Sequence, residues 1–207
     1  MYLTKLIINA QHRDARRDLS NAYEMHRTLS RAFASDGTVL PHRFLWRLER
    51  DGGYSLNHQT VLIQSLYLAN WQPLQENSGY IEQLYPNKAV DLSHLVGFGR
   101  WYRFRLLANP TVYRGGKRYG LMGEADQLAW LQRQGKKNGF SLRDVLVVRD
   151  ELLQCRQGKK EHRIQLKAVL YEGLLQVTDV TRLQQVLTDG IGRAKSMGLG
   201  LLSLAPL

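Results

Sequence analysis

Tyr23, His26 and Arg27 fall within five consecutive residues, YEMHR, of a stretch whose apolar spacing is helical. At about 100° per residue, Ala22, Met25, Leu29, Ala32 and Phe33 share one side, and Tyr23, Arg27 and Ser30 lie opposite. His26 sits at the border. The i, i+3 spacing brings the Tyr23 phenol and the His26 imidazole within reach of one small ligand group. An imidazole exchanges protons near neutral pH, a phenol donates a hydrogen bond, and a guanidinium offsets charge on a pentacoordinate phosphorane. That set suits phosphoryl transfer on RNA. The same spacing also occurs on ordinary helix surfaces, so the trio alone leaves catalysis open.

Metal chemistry has less support. His12, His26, His42, His58, His94 and His162 form no HxH, HxxxH or HExxH pair, and no DxD or EF-hand pattern occurs. The lone Cys155 excludes an intrachain disulfide and multi-cysteine metal sites, suits a reducing cytoplasm and reads as a packing residue. The expectation is a site without metal or cofactor.

The stretch Gly190–Gly200, GIGRAKSMGLG, places four glycines and two cations between a helix and a terminal strand. Such a segment lets backbone approach phosphate closely, with Gly192, Arg193, Lys195 and Ser196 as candidate contacts. It is not a Walker A loop, because Ala194 stands where GK[ST] requires glycine, and its glycine spacing is not that of a dinucleotide fold.

Net charge points the same way. The chain of 207 residues carries +11, yet residues 1–95 hold 10 basic and 9 acidic groups while residues 96–207 hold 19 and 9. A half-chain this basic favours a polyanion, nucleic acid before anionic membrane. Residues 113–119 interleave Arg114, Lys117 and Arg118 with glycines and tyrosines, and residues 156–163 read as a hairpin tip with Arg156, Lys159, Lys160 and Arg163. A two-stranded basic ribbon can track nucleic-acid phosphates. Arg103 and Arg105 alternate along one strand candidate and Arg43 and Arg47 along another, so one face of each sheet is expected to be basic; Arg31 extends the cations of the first helix. No apolar run reaches the ~18 residues of a membrane span, and the N-terminus shows no signal-peptide pattern. Trp46, Trp71, Trp101 and Trp130 are scattered and read as core.

The elements that must position these groups follow from periodicity. Strands are expected at 2–9, 43–49 and 59–66, with a helix at 21–34 capped by Ser20 or Asn21 and ended near Gly37. Asp51-Gly52-Gly53 suits a turn. A short helix at 78–86 and a weak strand at 89–92 complete β-α-β-β-α-β. The second half offers a strand at 101–107, a polar loop, and a helix at 123–134. Strands at 140–148, 151–156, 162–171 and 174–177, a helix at 179–188 and a last strand at 199–204 follow. The predicted fold is α+β: tandem ferredoxin-like (βαββαβ) domains, 1–95 and 96–207, with an added basic β-hairpin in the second.

Taken together, MYLTKL, YEMHR (23–27), RFRLLANP (103–110), EADQLAWLQR (124–133), LYEGLLQVTD (170–179) and GIGRAKSMGLGLLSLAP (190–206) closely resemble the CasE family, the CRISPR repeat endoribonucleases of Cascade. The resemblance implies metal-independent cleavage of precursor CRISPR RNA at the repeat stem-loop. It implies Tyr23 and His26 as the catalytic pair, and residues 156–163 and 190–200 as RNA-holding segments. It further implies retention of the cut RNA, partnership with other Cascade subunits, no membrane association, a free monomer and a cytoplasmic setting. Attack of the RNA 2′-OH on the adjacent phosphate would leave 5′-OH and 2′,3′-cyclic (or 3′-) phosphate ends. Whether His26 serves as acid or base stays open. The alternative is a non-catalytic RNA-binding scaffold subunit.

Overall fold

The computed structural model describes residues 1–34, 41–49, 57–157 and 162–207. The chain forms two compact units: Met1–Val90 with Cys155–Arg163 and Ser196–Gly198, and Asp91–Gln154 with Ile164–Lys195 and Leu199–Leu207. The linear reading puts the hairpin and all of the glycine-rich stretch in the second half; residues 155–163 and 196–198 instead cluster with the first unit.

In the first unit β1 (Tyr2–Asn9) leads into α1 (Arg13–Ser20) and α2 (Ala22–Ser30), which ends in a 3₁₀ turn at Arg31–Phe33. Strands β2 (Phe44–Glu49) and β3 (His58–Ser65), the short α3 (Gln72–Gln75) and β4 (Ile81–Ala89) follow. The sheet order is β2-β3-β1-β4, and each neighbouring pair is antiparallel. That is the ferredoxin-like arrangement, with β3 and β4 flanking β1. Leu6 and Ile8 of β1 and Val61 and Ile63 of β3 pack against Met25, Leu29 and Phe33, so the apolar stripe of α2 docks as its spacing requires.

The expected helix at 21–34 is two helices and a turn. Asn21, extended at φ −142°, gives its N–H to Asp18 and accepts the Tyr23 N–H on its side chain, closing α1 and capping α2. Residues 78–86, expected as a helix, lie largely in β4, and the expected strand at 89–92 is the end of β4 and the start of α4 (Leu92–Leu95). Two register shifts against β1 leave every third residue of β4 half-buried, a spacing that imitates a helix. The expected basic face on the first sheet also fails at Arg47, which is 2% exposed and bonds Glu49 at 2.8 Å. Gly37 and the turn at 51–53 lie outside the described residues.

The second unit repeats the topology. β5 (Trp101–Ala108), α5 (Glu124–Lys137), β8 (Phe140–Gln157), β9 (His162–Val177), α6 (Val180–Asp189) and β10 (Leu202–Pro206) give the order β10-β5-β9-β8. The segment read as a polar loop is a ribbon, β6 (Thr111–Arg114) with β7 (Lys117–Gly120). Strands expected in pairs at 140–156 and 162–177 are single long strands. Gly173 permits this: a Cβ there would stand 2.7 Å from the carbonyl of Asp144, itself at φ 50°. Phe104, Leu106, Tyr171 and Leu175 pack against Trp130, Leu131, Leu183 and Leu187.

Candidate functional site

The first unit gathers Tyr23, His26 and Arg27 on α2. The His26 ring lies on Phe44 of β2, centroids 4.9 Å apart and planes at 24°. Its Nδ1 is buried with no hydrogen-bond partner among the described residues, so exchange with a ligand falls to Nε2. Burial holds the imidazole pKa below its ordinary value. Arg27 is exposed and pairs with Glu24 at 3.5 Å, one turn away. Glu24 in turn lies 4.0 Å from Arg17 of α1.

That brace runs deeper. Arg17 donates to the buried Asp18 carboxylate at 2.8 Å and reaches the Thr28 hydroxyl of α2 at 3.4 Å. Tyr80, beside β4, donates to the other Asp18 oxygen at 2.8 Å. The Asp18 carboxylate of α1 therefore ties directly to the chain entering β4 and, through Arg17, to Thr28 of α2.

The root of the basic hairpin meets the start of α2. Asn21 donates to the Arg156 carbonyl at 2.9 Å and accepts the Arg156 N–H at 3.3 Å. The Cys155 thiol sulfur takes the N–H groups of Ala22 and Tyr23, and burial pushes its pKa up. Sequence reasoning assigned Cys155 to packing and Asn21 to capping; neither reveals that they join hairpin to helix, because the partners are backbone atoms far away in the sequence, 135 residues for Asn21. Arg156 itself is exposed. Lys159 and Lys160 lie outside the described residues, and Arg163 falls on β9 with its side chain also outside them.

Ser196 joins the same unit. Its carbonyl accepts Trp46 Nε1 at 3.3 Å, and Gly198, at φ +78°, lies against the Trp46 ring. Trp46 and Phe44 alternate along β2, so both side chains leave the same face of the strand. One strand face thus carries the rings that contact Ser196–Gly198 and His26. Arg31, in the turn after α2, is exposed and donates to the Pro73 carbonyl at 3.0 Å.

The second unit holds the other candidates. Arg118 of the β6–β7 ribbon and Gly192, Arg193 and Lys195 of the glycine-rich segment line one cleft of about 770 Å³, joined by Arg133 and Lys137 of α5 and Arg182 of α6. Those last three were missed; the i, i+4 spacing of Arg133 and Lys137 is the signal that carries two of them. Arg114 and Lys117 are exposed on the same ribbon but do not line the cleft. Arg103 and Arg105 line a different groove with Leu146, Leu174 and Leu204, where Arg105 pairs with Glu172 at 3.1 Å. Two amides of the glycine-rich segment are already used: Ile191 N–H bonds Gly200 at 2.8 Å, and Gly200 N–H bonds Leu107 at 2.7 Å.

Comparison with known proteins places this geometry. A family model described as "CRISPR associated protein" matches residues 1–206. The chain is 41% identical to the CRISPR-associated endoribonuclease Cse3 of Thermus thermophilus, with all of both chains covered. The chain belongs to the Cse3/CasE family of CRISPR-associated proteins. It is also 33% identical to the Cascade subunit CasE of Escherichia coli over the whole of both chains. Among solved structures, Thermus thermophilus Cse3 bound to an RNA representing a pre-cleavage complex superposes with a TM-score of 0.86 at 40% identity, covering 99% of this chain and 98% of that one. No helix among the described residues is long and apolar enough to cross a membrane.

Proposed function

We propose that this Cse3/CasE protein is a metal-independent endoribonuclease that cuts precursor CRISPR RNA at the repeat stem-loop and stays on the product as a Cascade subunit. A cytoplasmic setting accords with its single, unpaired cysteine. The observation that carries the chemistry is a histidine packed on Phe44, its pKa lowered by burial, one turn from a tyrosine and beside an arginine on a braced helix.

The RNA 2′-oxygen attacks the adjacent phosphorus as its proton leaves, and the bond from phosphorus to the 5′-oxygen breaks. The 5′-oxygen takes up a proton from solvent water, leaving a 2′,3′-cyclic phosphate and a 5′-OH. Burial lowers the His26 pKa and so favours the neutral imidazole, the form a general base requires, and Nε2 accepts the 2′-OH proton. The Tyr23 hydroxyl orients a phosphate oxygen. Arg27, exposed and paired among the described residues with Glu24 one turn away, turns from Glu24 toward the phosphorane. Arg156 and Ser196, of the same compact unit, supply further contacts to the backbone of the RNA.

The test is cleavage of a labelled repeat stem-loop in EDTA by the parent protein and by His26→Ala, with binding scored separately. General acid–base loss should slow cutting by about 10²–10⁴-fold and leave affinity near the parental value. Binding without cutting by either protein would make the chain an RNA-holding subunit instead.

A further inference from the structure

We propose that Asn21 and Cys155 are positioning residues of the cleavage reaction, pinning the first turn of α2 to the strand that carries Arg156 so that Tyr23 meets the scissile phosphate in register. The inference rests on the reading of this chain as an endoribonuclease and says how one member of its catalytic pair is held.

His26 and Tyr23 need different anchors. His26 lies in the second turn of α2, and its ring is stacked on Phe44. Tyr23 is the second residue of a nine-residue helix, in the turn where N–H groups lack intrahelical partners and helices fray. Its hydroxyl has no hydrogen-bond partner among the described residues, so the direction of the phenol rests on the backbone beneath it.

That backbone is held from two sides. Asn21 Oδ1 accepts the Tyr23 N–H at 3.2 Å, and the Cys155 sulfur takes the N–H groups of Ala22 and Tyr23. The same Asn21 side chain donates to the Arg156 carbonyl at 2.9 Å and accepts its N–H at 3.3 Å. Capping alone does not call for all of this. The Asn21 carbonyl takes the Met25 N–H at 3.1 Å and its side-chain oxygen serves Tyr23, so α2 already starts on its own chain. The contacts from Cys155 and Arg156 are additional, and they come from a strand that reaches α2 only through the fold.

The placement of Cys155 fits that role. It is 1% exposed, between exposed Gln154 and Arg156, so alternation along β8 sends the sulfur toward α2 and Arg156 outward. Burial favours the thiol over the thiolate, which makes a serine hydroxyl its nearest neutral counterpart. Residues 155–163 also cluster with the first unit, not with the rest of β8. RNA held at Arg156 and the Tyr23 phenol are therefore referred to one stretch of backbone. A misplacement of about 1 Å at a reacting group can cost about 10²-fold in rate.

The experiment compares single-turnover cleavage of a labelled repeat stem-loop in EDTA, at saturating protein and well below each melting transition. Affinity is read with the same RNA made uncleavable by 2′-deoxyribose at the cut site. Cys155→Ala removes the acceptor and Cys155→Ser restores one; both are made in the parent and in Tyr23→Phe. In the parent, Cys155→Ala should slow cutting about tenfold with affinity unchanged, and Cys155→Ser should recover most of that rate. In the Tyr23→Phe background, which lacks the hydroxyl, Cys155→Ala should add almost nothing. An equal loss in both backgrounds would overturn the inference, since general support of the fold does not depend on the phenol. So would a parental rate for Cys155→Ala, a loss confined to affinity, or a serine variant no faster than the alanine one. Tyr23→Phe cutting at the parental rate would remove the group being positioned, and the inference with it. Failure of the parent protein itself to cut would instead overturn the endoribonuclease reading. If Cys155→Ala does not fold, Asn21→Asp, which keeps the cap and loses the donor to Arg156, carries the same dependence on the Tyr23 background.

Discussion

The His26 imidazole stacks on Phe44 with centroids 4.9 Å apart, and Phe44 in turn stacks on Phe33 at 4.5 Å. An apolar ring pressed on one face of a histidine removes water that would stabilise the imidazolium, and this keeps the pKa below 6.5. The sign for catalysis follows. A base with a lowered pKa is competent at neutral pH and loses activity only as pH falls through that lowered value. The acid limb of kcat/KM, which reports the free protein, should therefore fall below pH 6.5. Phe44→Leu, which thins the stack, should move that limb upward. A limb already at or above pH 6.5 in the parent would remove burial as the tuning device.

Stability carries the mirror image of that statement. A histidine with a depressed folded pKa adds stability that is present above its unfolded pKa and is lost as pH falls toward the folded value. Chemical denaturation between pH 7.5 and about 5 should therefore show a steeper loss for the parent than for His26→Gln, which cannot titrate. Equal slopes would mean that His26 titrates alike folded and unfolded.

Asn21 ties two distant stretches of backbone through one side chain: it accepts from Tyr23 and from Arg156 and donates to the Arg156 carbonyl. Asn21→Ala removes the cap of α2, worth about 1 kcal/mol, and both bonds to the hairpin root. The expected result is a stability loss of roughly 1–2 kcal/mol with slower cleavage. Asn21→Asp keeps the cap and the acceptor but loses the donor to Arg156. It should recover stability more fully than activity, read by denaturation and single-turnover cleavage side by side.

How far the sequence reaches is clearest in the places where it stops. The apolar stripe of α2 and the capping role of Asn21 follow from local chemistry, and the places of β1, β2, β3 and β5 follow from their apolar patterning. β4 misleads because its period of three is produced by bulges against β1, a property of the pairing and not of the segment. Arg47 misleads because its buried position depends on Glu49 accepting its guanidinium, while alternation alone marks it as a surface residue. The Tyr23–His26 pair is visible in five residues. The Phe44 stack, the Asp18 brace and the Cys155 contact each need a partner at least ten residues away, so no local pattern records them. Arg133 and Lys137 are legible as a spacing, yet only the fold brings them into one cleft with Arg118 and Arg193.

Tyr80 and Asp18 form the buried end of the brace. Tyr80 is 1% exposed, and burial, with the Asp18 charge beside it, raises its phenol pKa. A phenol with a raised folded pKa contributes stability that is full below its unfolded value near 10 and is lost as pH rises beyond it. Tyr80→Phe leaves the Asp18 carboxylate with Arg17 alone and should cost about 1–3 kcal/mol at neutral pH. It should also blunt, without abolishing, alkaline unfolding, since buried Tyr171 carries a raised pKa of the same sign. An alkaline transition unchanged by the substitution would show that the Tyr80 proton is not what high pH removes.

Gly198 and Trp46 give the most direct steric test of how the glycine-rich segment is seated. At φ +78° an L-residue pays roughly 1–2 kcal/mol, and a Cβ at Gly198 would stand 2.9 Å from two atoms of the Trp46 ring. Trp46 cannot yield, since it is 3% exposed within the core and its Nε1 is bonded to Ser196. Gly198→Ala should therefore cost roughly 2–4 kcal/mol and weaken binding of repeat RNA by loosening Ser196. Trp46→Phe shortens the ring and opens room for the methyl group, at its own cost in core packing. In the double variant the clash is relieved while the backbone cost remains, so the two changes should be less than additive by more than about 0.5 kcal/mol. Strict additivity in a denaturation cycle would mean that the cost at Gly198 is wholly one of backbone conformation and that Trp46 does not set the path of the segment.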